Sequence, residues 1–361
     1  MIDDAGRFLQ PVGPGPDEPA AISVSRGMAA WLLRHQVSLA YTSYQTGRLI
    51  LAGVAPDGRL AFSEQNYARA MGLHYHAGTL YVASLFQIWK LRNLLRQGEY
   101  ANNAHDCFLV PREAHTTGYV DTHELSVDGD GQVVFVNSRY SCLATLDDMF
   151  SFRPVWKPSF ISALLPEDRC HLNGIAMQHG KPRYVTALGT ADTADGWREA
   201  KAQGGVLIDV ATDRVMASGL SMPHSPRTAG TDVLLLDSGR GNIVRLKSSG
   251  GEPEALAFCP GFLRGMVVIG AHAVVGVSKP RHDHFGDLPI ARELERRGQE
   301  PWCGILVVDL RSGRIVEFIR YHSQIDEIFD VELLHGIRNP ISIGPASEEL
   351  LNTIRYDPDW P

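Results

Sequence analysis

A β-hairpin recurs six times along this chain, and that recurrence limits the fold more than any other feature. The clearest copy is residues 121–138, DTHELSVDGDGQVVFVNS, with a strand, a turn at Gly129 and a second strand. Further copies begin at Met71, Leu172, Met222, Phe262 and Phe329. Their turn glycines, Gly78, Gly129, Gly180, Gly230, Gly270 and Gly336, are spaced by 51, 51, 50, 40 and 66 residues. Self-similarity at roughly 40–50 residues with two to four strands per unit predicts a β-propeller. The 361 residues therefore read as one all-β domain, a six-bladed propeller with four-stranded blades, and not as the two domains that length alone would suggest.

Blades are expected to start near residues 70, 121, 172, 222, 262 and 328. The strands within residues 37–66 have no repeat hairpin before them, and the last hairpin has no strands after it. Pairing of the N- and C-terminal segments would complete the sixth blade, close the ring and remove an exposed strand edge. Residues 1–24, which contain PVGPGPDEP, read as a flexible arm. Residues 25–361 read as the propeller, with a short helix at 25–36 set over one end of it.

Charge excludes some partners. The net charge is −7 with no basic run, which argues against nucleic acid. No apolar run reaches the ~18 residues of a membrane helix. The N-terminus is acidic and rich in Pro and Gly, unlike a secretory leader. Five cysteines without a CxxC pair fit a reducing compartment, so a cytoplasmic protein with buried structural cysteines is expected.

Counting six residues back from each turn glycine gives a column: Gly72, His123, Gly174, His224, Arg264 and Asp330. The first strand of each propeller blade lines the central channel, so this column is expected to ring one mouth. His123 and His224, joined by His171, would hold a zinc or transition-metal ion through neutral imidazole nitrogens and leave a position open. The alternative is that these histidines only bond to water or to backbone carbonyls. Arg264 suits a carboxylate or phosphate, or else a salt bridge with Asp330 or Asp237. Asn173, Arg240 and Arg281 complete the expected substrate contacts. Asp330 and His282 are the expected proton-moving groups. His282 lies with His284 in KPRHDHFGD, which is otherwise a solvated polar loop. His115 leads towards the second blade and would touch the same mouth.

Two loops are long, residues 189–205 and 279–303, and the second contains the amphipathic PIARELERR. Long loops on a rigid ring tend to carry function.

Two resemblances follow from these segments. LNGIAMQHGKPRYVTAL resembles the PNGLA…DG…LYV unit of the gluconolactonase and strictosidine-synthase-like six-bladed propellers. Those families bind a divalent ion, usually Ca²⁺, through carboxylate and asparagine ligands. Only Asn173 matches that pattern here, so the resemblance implies the fold and not a Ca²⁺ lactonase. HTTGYVDTHEL, the SCLATLDD to CHLNG stretch, DTADGWRE, SMPHSPR and CPGFLRG resemble a bacterial family of conserved hypothetical proteins over most of the chain. That resemblance implies membership and brings no residue roles.

The expected function is a metal-dependent enzyme acting on a small anionic metabolite or peptide end at the channel mouth. Hydrolysis, lyase chemistry and metal-dependent oxidation stay open, as does metal-free acid–base chemistry by the same residues. The alternative is a non-catalytic module that grips a protein partner through its long rim loops.

Overall fold

The computed structural model describes residues 21–279 and 288–356. Its strands form six sheets, antiparallel but for one short edge pairing, arranged as a six-bladed β-propeller. We number the blades by their inner strands: blade 1 at Leu73–His76, blade 2 at Thr122–Val127, blade 3 at Leu172–Gln178, blade 4 at Pro223–Ala229, blade 5 at Phe262–Ile269 and blade 6 at Asp330–His335.

Blade 6 closes the ring as the unpaired segments implied. Its inner strand Asp330–His335 pairs with Val37–Ser43, from Thr42↔Asp330 to Val37↔His335, and Arg48–Val54 and Leu60–Asn66 follow outward. Two short edge strands depart from the expectation. Ile22–Val24, assigned to the flexible arm, pairs with Ile319–Tyr321 as a fifth strand of blade 5. Pro340–Ser342 runs parallel to Cys107–Leu109 as a fifth strand of blade 1. Strands of three residues are too short to show period-2 alternation.

The core is divided among the six blade interfaces. Alternation along each middle strand sends successive side chains to opposite neighbours. Val133 and Phe135 of blade 2 pack towards blade 1, while Val134 and Val136 pack towards blade 3. Val233 and Leu235 of blade 4 face blade 3, and Leu234 and Leu236 face blade 5. The five cysteines are free, and each is buried in a different interface cluster. Burial raises the thiols of Cys107, Cys142, Cys170 and Cys259 to about 12, which leaves them unreactive.

The helix Met28–His35 forms where expected but does not cover the channel. Its Met28, Trp31 and Leu32 enter the cluster between blades 5 and 6. The fourth strand of blade 1, Cys107–Thr116, continues through His115. That carries His115 to the outer edge, beside Asp147 and Asp148 in a groove between blades 1 and 2, and away from the mouth.

Inner strands approach one another closely at the channel. Gly265 of blade 5 has φ +68°, and a Cβ there would meet the Val331 nitrogen at 2.5 Å. Only glycine allows blade 6 to sit so near.

Candidate functional site

At one mouth of the channel the chain makes the same local turn at the start of several inner strands. Asp121, His171 and Met222 each have positive φ, at 55°, 48° and 48°. Two residues later come His123, Asn173 and His224. The Nδ1–H of His123 donates to the Asp121 carbonyl at 3.0 Å, and the Nδ1–H of His224 donates to the Met222 carbonyl at 2.8 Å. Blade 3 therefore places Asn173, not Gly174, at the position equivalent to the two histidines. Its register shifts between Leu172 and Gly174.

Serines that directly follow the second strands of blades 2 and 4 complete the arrangement. The Ser138 hydroxyl donates to the Leu172 carbonyl at 2.5 Å, so its oxygen is left to accept from His123 Nδ1 at 2.9 Å. Ser238 Oγ lies 3.1 Å from His224 Nδ1. His171 is oriented by a carboxylate: its Nδ1–H donates to Asp168 Oδ2 at 2.8 Å, and Trp197 Nε1–H donates to the same oxygen at 3.0 Å. The Trp197 ring lies 4.5 Å from the His171 ring. Asp168 also has positive φ, 48°. Left-handed non-glycine residues are costly and tend to persist where the surroundings hold them for function.

The consequence is chemical. All three imidazoles carry their proton on Nδ1, so each Nε2 presents a lone pair. His123 Nε2 and His171 Nε2 face each other at 3.1 Å. Two lone pairs at that distance repel unless a proton or a cation lies between them. Two nitrogen ligands on one tetrahedral ion with bonds of about 2.0–2.1 Å stand ~3.3 Å apart, close to this separation. Donor atoms of Asp121, His123 and His171 all lie within 4.8 Å of one another. This set can hold a metal ion, and the Asp168 carboxylate behind His171 is a usual outer support for such a ligand. Burial lowers the pKa of His123 to about 4, which keeps it neutral and able to ligate.

Of the expected three-histidine set, the structure brings His123 and His171 together with Asp121, while His224 lies outside this close group. His224 lies deeper, with Asn173, Arg264 and Asp330, around a void of about 10 Å³, the size of one water molecule. Among the described residues its Nε2 and Asn173 Nδ2 are buried there without a hydrogen-bond partner, and Asn173 Oδ1 accepts from Thr186 Oγ1 at 2.6 Å. Burial pushes the pKa of His224 well below its ordinary value.

The other expected residues are placed as follows. Arg264 lines the mouth but faces Glu327 at 3.4 Å and lies over the Phe329 ring at 4.8 Å. The carboxylate it faces among the described residues is that of Glu327, where Asp330 or Asp237 was expected. Asp330 is buried below the mouth, its oxygens accepting the backbone N–H groups of Leu73 and Val331. Arg240 bonds Asp237 at 2.7 Å and does not line the mouth cavity. Arg281, His282 and His284 lie outside the described residues.

Above the group opens a cavity of about 690 Å³, lined by Asp121, His123 and His171 together with Tyr44, Tyr119, Trp197 and Phe329. Its size is that of a small-molecule site. Both long loops contribute side chains to one buried cluster beside it. Trp197 of the first and Leu288, Ile290 and Leu294 of the second share a buried cluster with Met222 and Phe262. The second loop carries the expected helix, Pro289–Arg297.

A family model described as a domain of unknown function, DUF4915, matches residues 26–343. The chain belongs to the DUF4915 family. The match covers every blade of the propeller, so the mouth residues described above all belong to the family domain. No curated protein matches the chain in sequence. Solved structures similar to this DUF4915 chain include one in a nidogen/laminin complex, with TM-score 0.54 and 11% identity over 83% of this chain and 99% of that one. A gluconolactonase from Xanthomonas campestris is similar with TM-score 0.50 and 12% identity over 88% of this chain and 90% of that one. A protein of unknown function from Bacteroides caccae has TM-score 0.50 and 9% identity over 82% and 98%. At these identities the likeness shows the fold. Among the described residues no helix is long and apolar enough to cross a membrane.

Proposed function

We propose that this protein is an enzyme whose site is the propeller mouth, with a divalent metal ion held by Asp121, His123 and His171 and a small anionic substrate in the cavity above. The observation that carries the reading is the approach of two Nε2 lone pairs to 3.1 Å, each fixed by an acceptor on its own Nδ1. A bound ion would supply Lewis-acid polarisation or a water acidified towards neutral pH. Asp168 holds the tautomer of His171, and Ser138 with the Asp121 carbonyl holds that of His123. Trp197 covers the His171 ring and limits water there. Among the described residues, the loops' large apolar side chains Trp197, Leu288, Ile290 and Leu294 are buried, which favours a small molecule over a protein gripped at the rim.

The test is turnover of a panel of small carboxylated lactones, esters and phosphate monoesters before and after chelation. Activity lost on chelation and restored by one metal supports the reading. Activity that survives complete metal removal overturns it.

A further inference from the structure

Among the described residues, Arg139 is a cation of the cavity wall that forms no ion pair. Arg198 donates to Asp195 at 2.9 Å, and Arg264 faces Glu327. Arg139 also lines the cavity, yet among the described residues its guanidinium has no carboxylate oxygen within 4.0 Å. The guanidinium lies over the Tyr119 ring, 5.1 Å from its centre, and Arg69 lies over the same ring at 5.8 Å. The chain on either side of Arg139 belongs to the site. Ser138, the preceding residue, orients His123, and the Arg139 carbonyl accepts the backbone N–H of Asp168 at 2.9 Å. Arg139 thus stands between the residues that fix the two facing imidazoles.

We propose that Arg139 binds the oxyanion of the substrate, and that the substrate is a compact molecule carrying a carboxylate or phosphate on a flat, apolar body. The proposal rests on the reading of the mouth cavity as the substrate site. A guanidinium matches either oxyanion through two parallel N–H bonds. The contact with Tyr119 restrains its plane while leaving edge donors to a ligand. In a concave, partly desolvated wall an uncompensated cation attracts anions more strongly than it would on an open surface. The flat body follows from the other walls: Tyr44 and Phe329 stack at 5.8 Å with 23° between their planes, and Tyr119 and Trp197 line the same cavity. Arg139 is a specificity residue in this account and takes no part in metal binding.

Calorimetric titration with benzoate and with inorganic phosphate tests this, on metal-free and Zn²⁺-reconstituted protein alike. Wild type should bind at least one of the two, and the preferred anion identifies the oxyanion. Arg139→Gln should weaken that binding by about tenfold or more, the loss of a charge-assisted pair. Arg139→Lys, which keeps the charge and loses the fork, should fall between, and it serves if the glutamine variant does not fold. Melting temperature and metal stoichiometry should match wild type. Unchanged affinity in both variants, or no binding of either anion by wild type up to about 10 mM, overturns the proposal. Failure of the metal reading would appear separately, as Arg139-dependent binding by a protein that takes up no metal.

Discussion

The carboxylate of Asp330 accepts the backbone N–H of Leu73 at 2.7 Å, so the inner strand of blade 6 is tied to the inner strand of blade 1 where the ring closes. The same joint recurs between blades 2 and 3, where Glu124 Oε2 accepts the Ile175 N–H at 2.9 Å. Arg227 of blade 4 contacts Glu124 Oε1 inside the channel. Burial, with Glu124 nearby, pushes the Asp330 carboxyl well above its ordinary range. These acidic groups fasten blades together from the inside of the channel.

Asp330→Ala should therefore act on stability. It leaves the N–H groups of Leu73 and Val331 without their acceptor, at a cost of about 1–3 kcal/mol. Urea denaturation should show that loss while metal content stays at the wild-type level. A variant of unchanged stability that loses activity would instead make Asp330 a proton-moving group.

Asp168→Ala should weaken metal binding without removing a ligand. The substitution releases His171 from its fixed tautomer and breaks the bond from Trp197. Loss of such an outer support typically costs 10–100-fold in affinity. Competition with a chelator of known affinity measures this, and unchanged affinity would contradict the role given to Asp168.

The pH dependence of the metal-free protein should reflect His224. Its folded-state pKa lies below the unfolded value near 6.5 because burial disfavours the charged ring. The unfolded chain therefore binds a proton that the folded chain does not. The stability from this group is complete above about pH 6.5 and declines as pH falls below it. His224→Gln should flatten the acid limb of the stability curve by up to about 1.4 kcal/mol per pH unit. Parallel acid limbs for the two proteins would contradict the assignment.

The propeller was legible in the sequence because turn glycines such as Gly78, Gly129 and Gly180 repeat at near-constant spacing, and because the strands of residues 37–66 had no hairpin of their own. His123 and His171 were legible as polar residues at strand starts. Asp121 was not, because its place at the mouth comes from a left-handed turn with φ 55°, which leaves no periodic mark. Asp168 was hidden in the same way, three residues before the histidine it orients. His224 has the same local pattern as His123, and only the three-dimensional ring shows that the imidazole facing His123 comes from blade 3. Arg139 gave no signal, since the meaning of an arginine after a strand depends on which carboxylates the fold brings near it.

The most direct measurement is metal content by elemental analysis of protein purified without added metal or a histidine tag. Beside it we would measure His123→Ala/His171→Ala and His224→Ala, each checked for folding. The account predicts about one ion per chain in wild type, none in the double variant and near-wild-type content in His224→Ala. Wild-type protein that stays metal-free after exposure to Fe²⁺, Zn²⁺, Cu²⁺ and Mn²⁺ would contradict it, and the facing imidazoles would then share a proton.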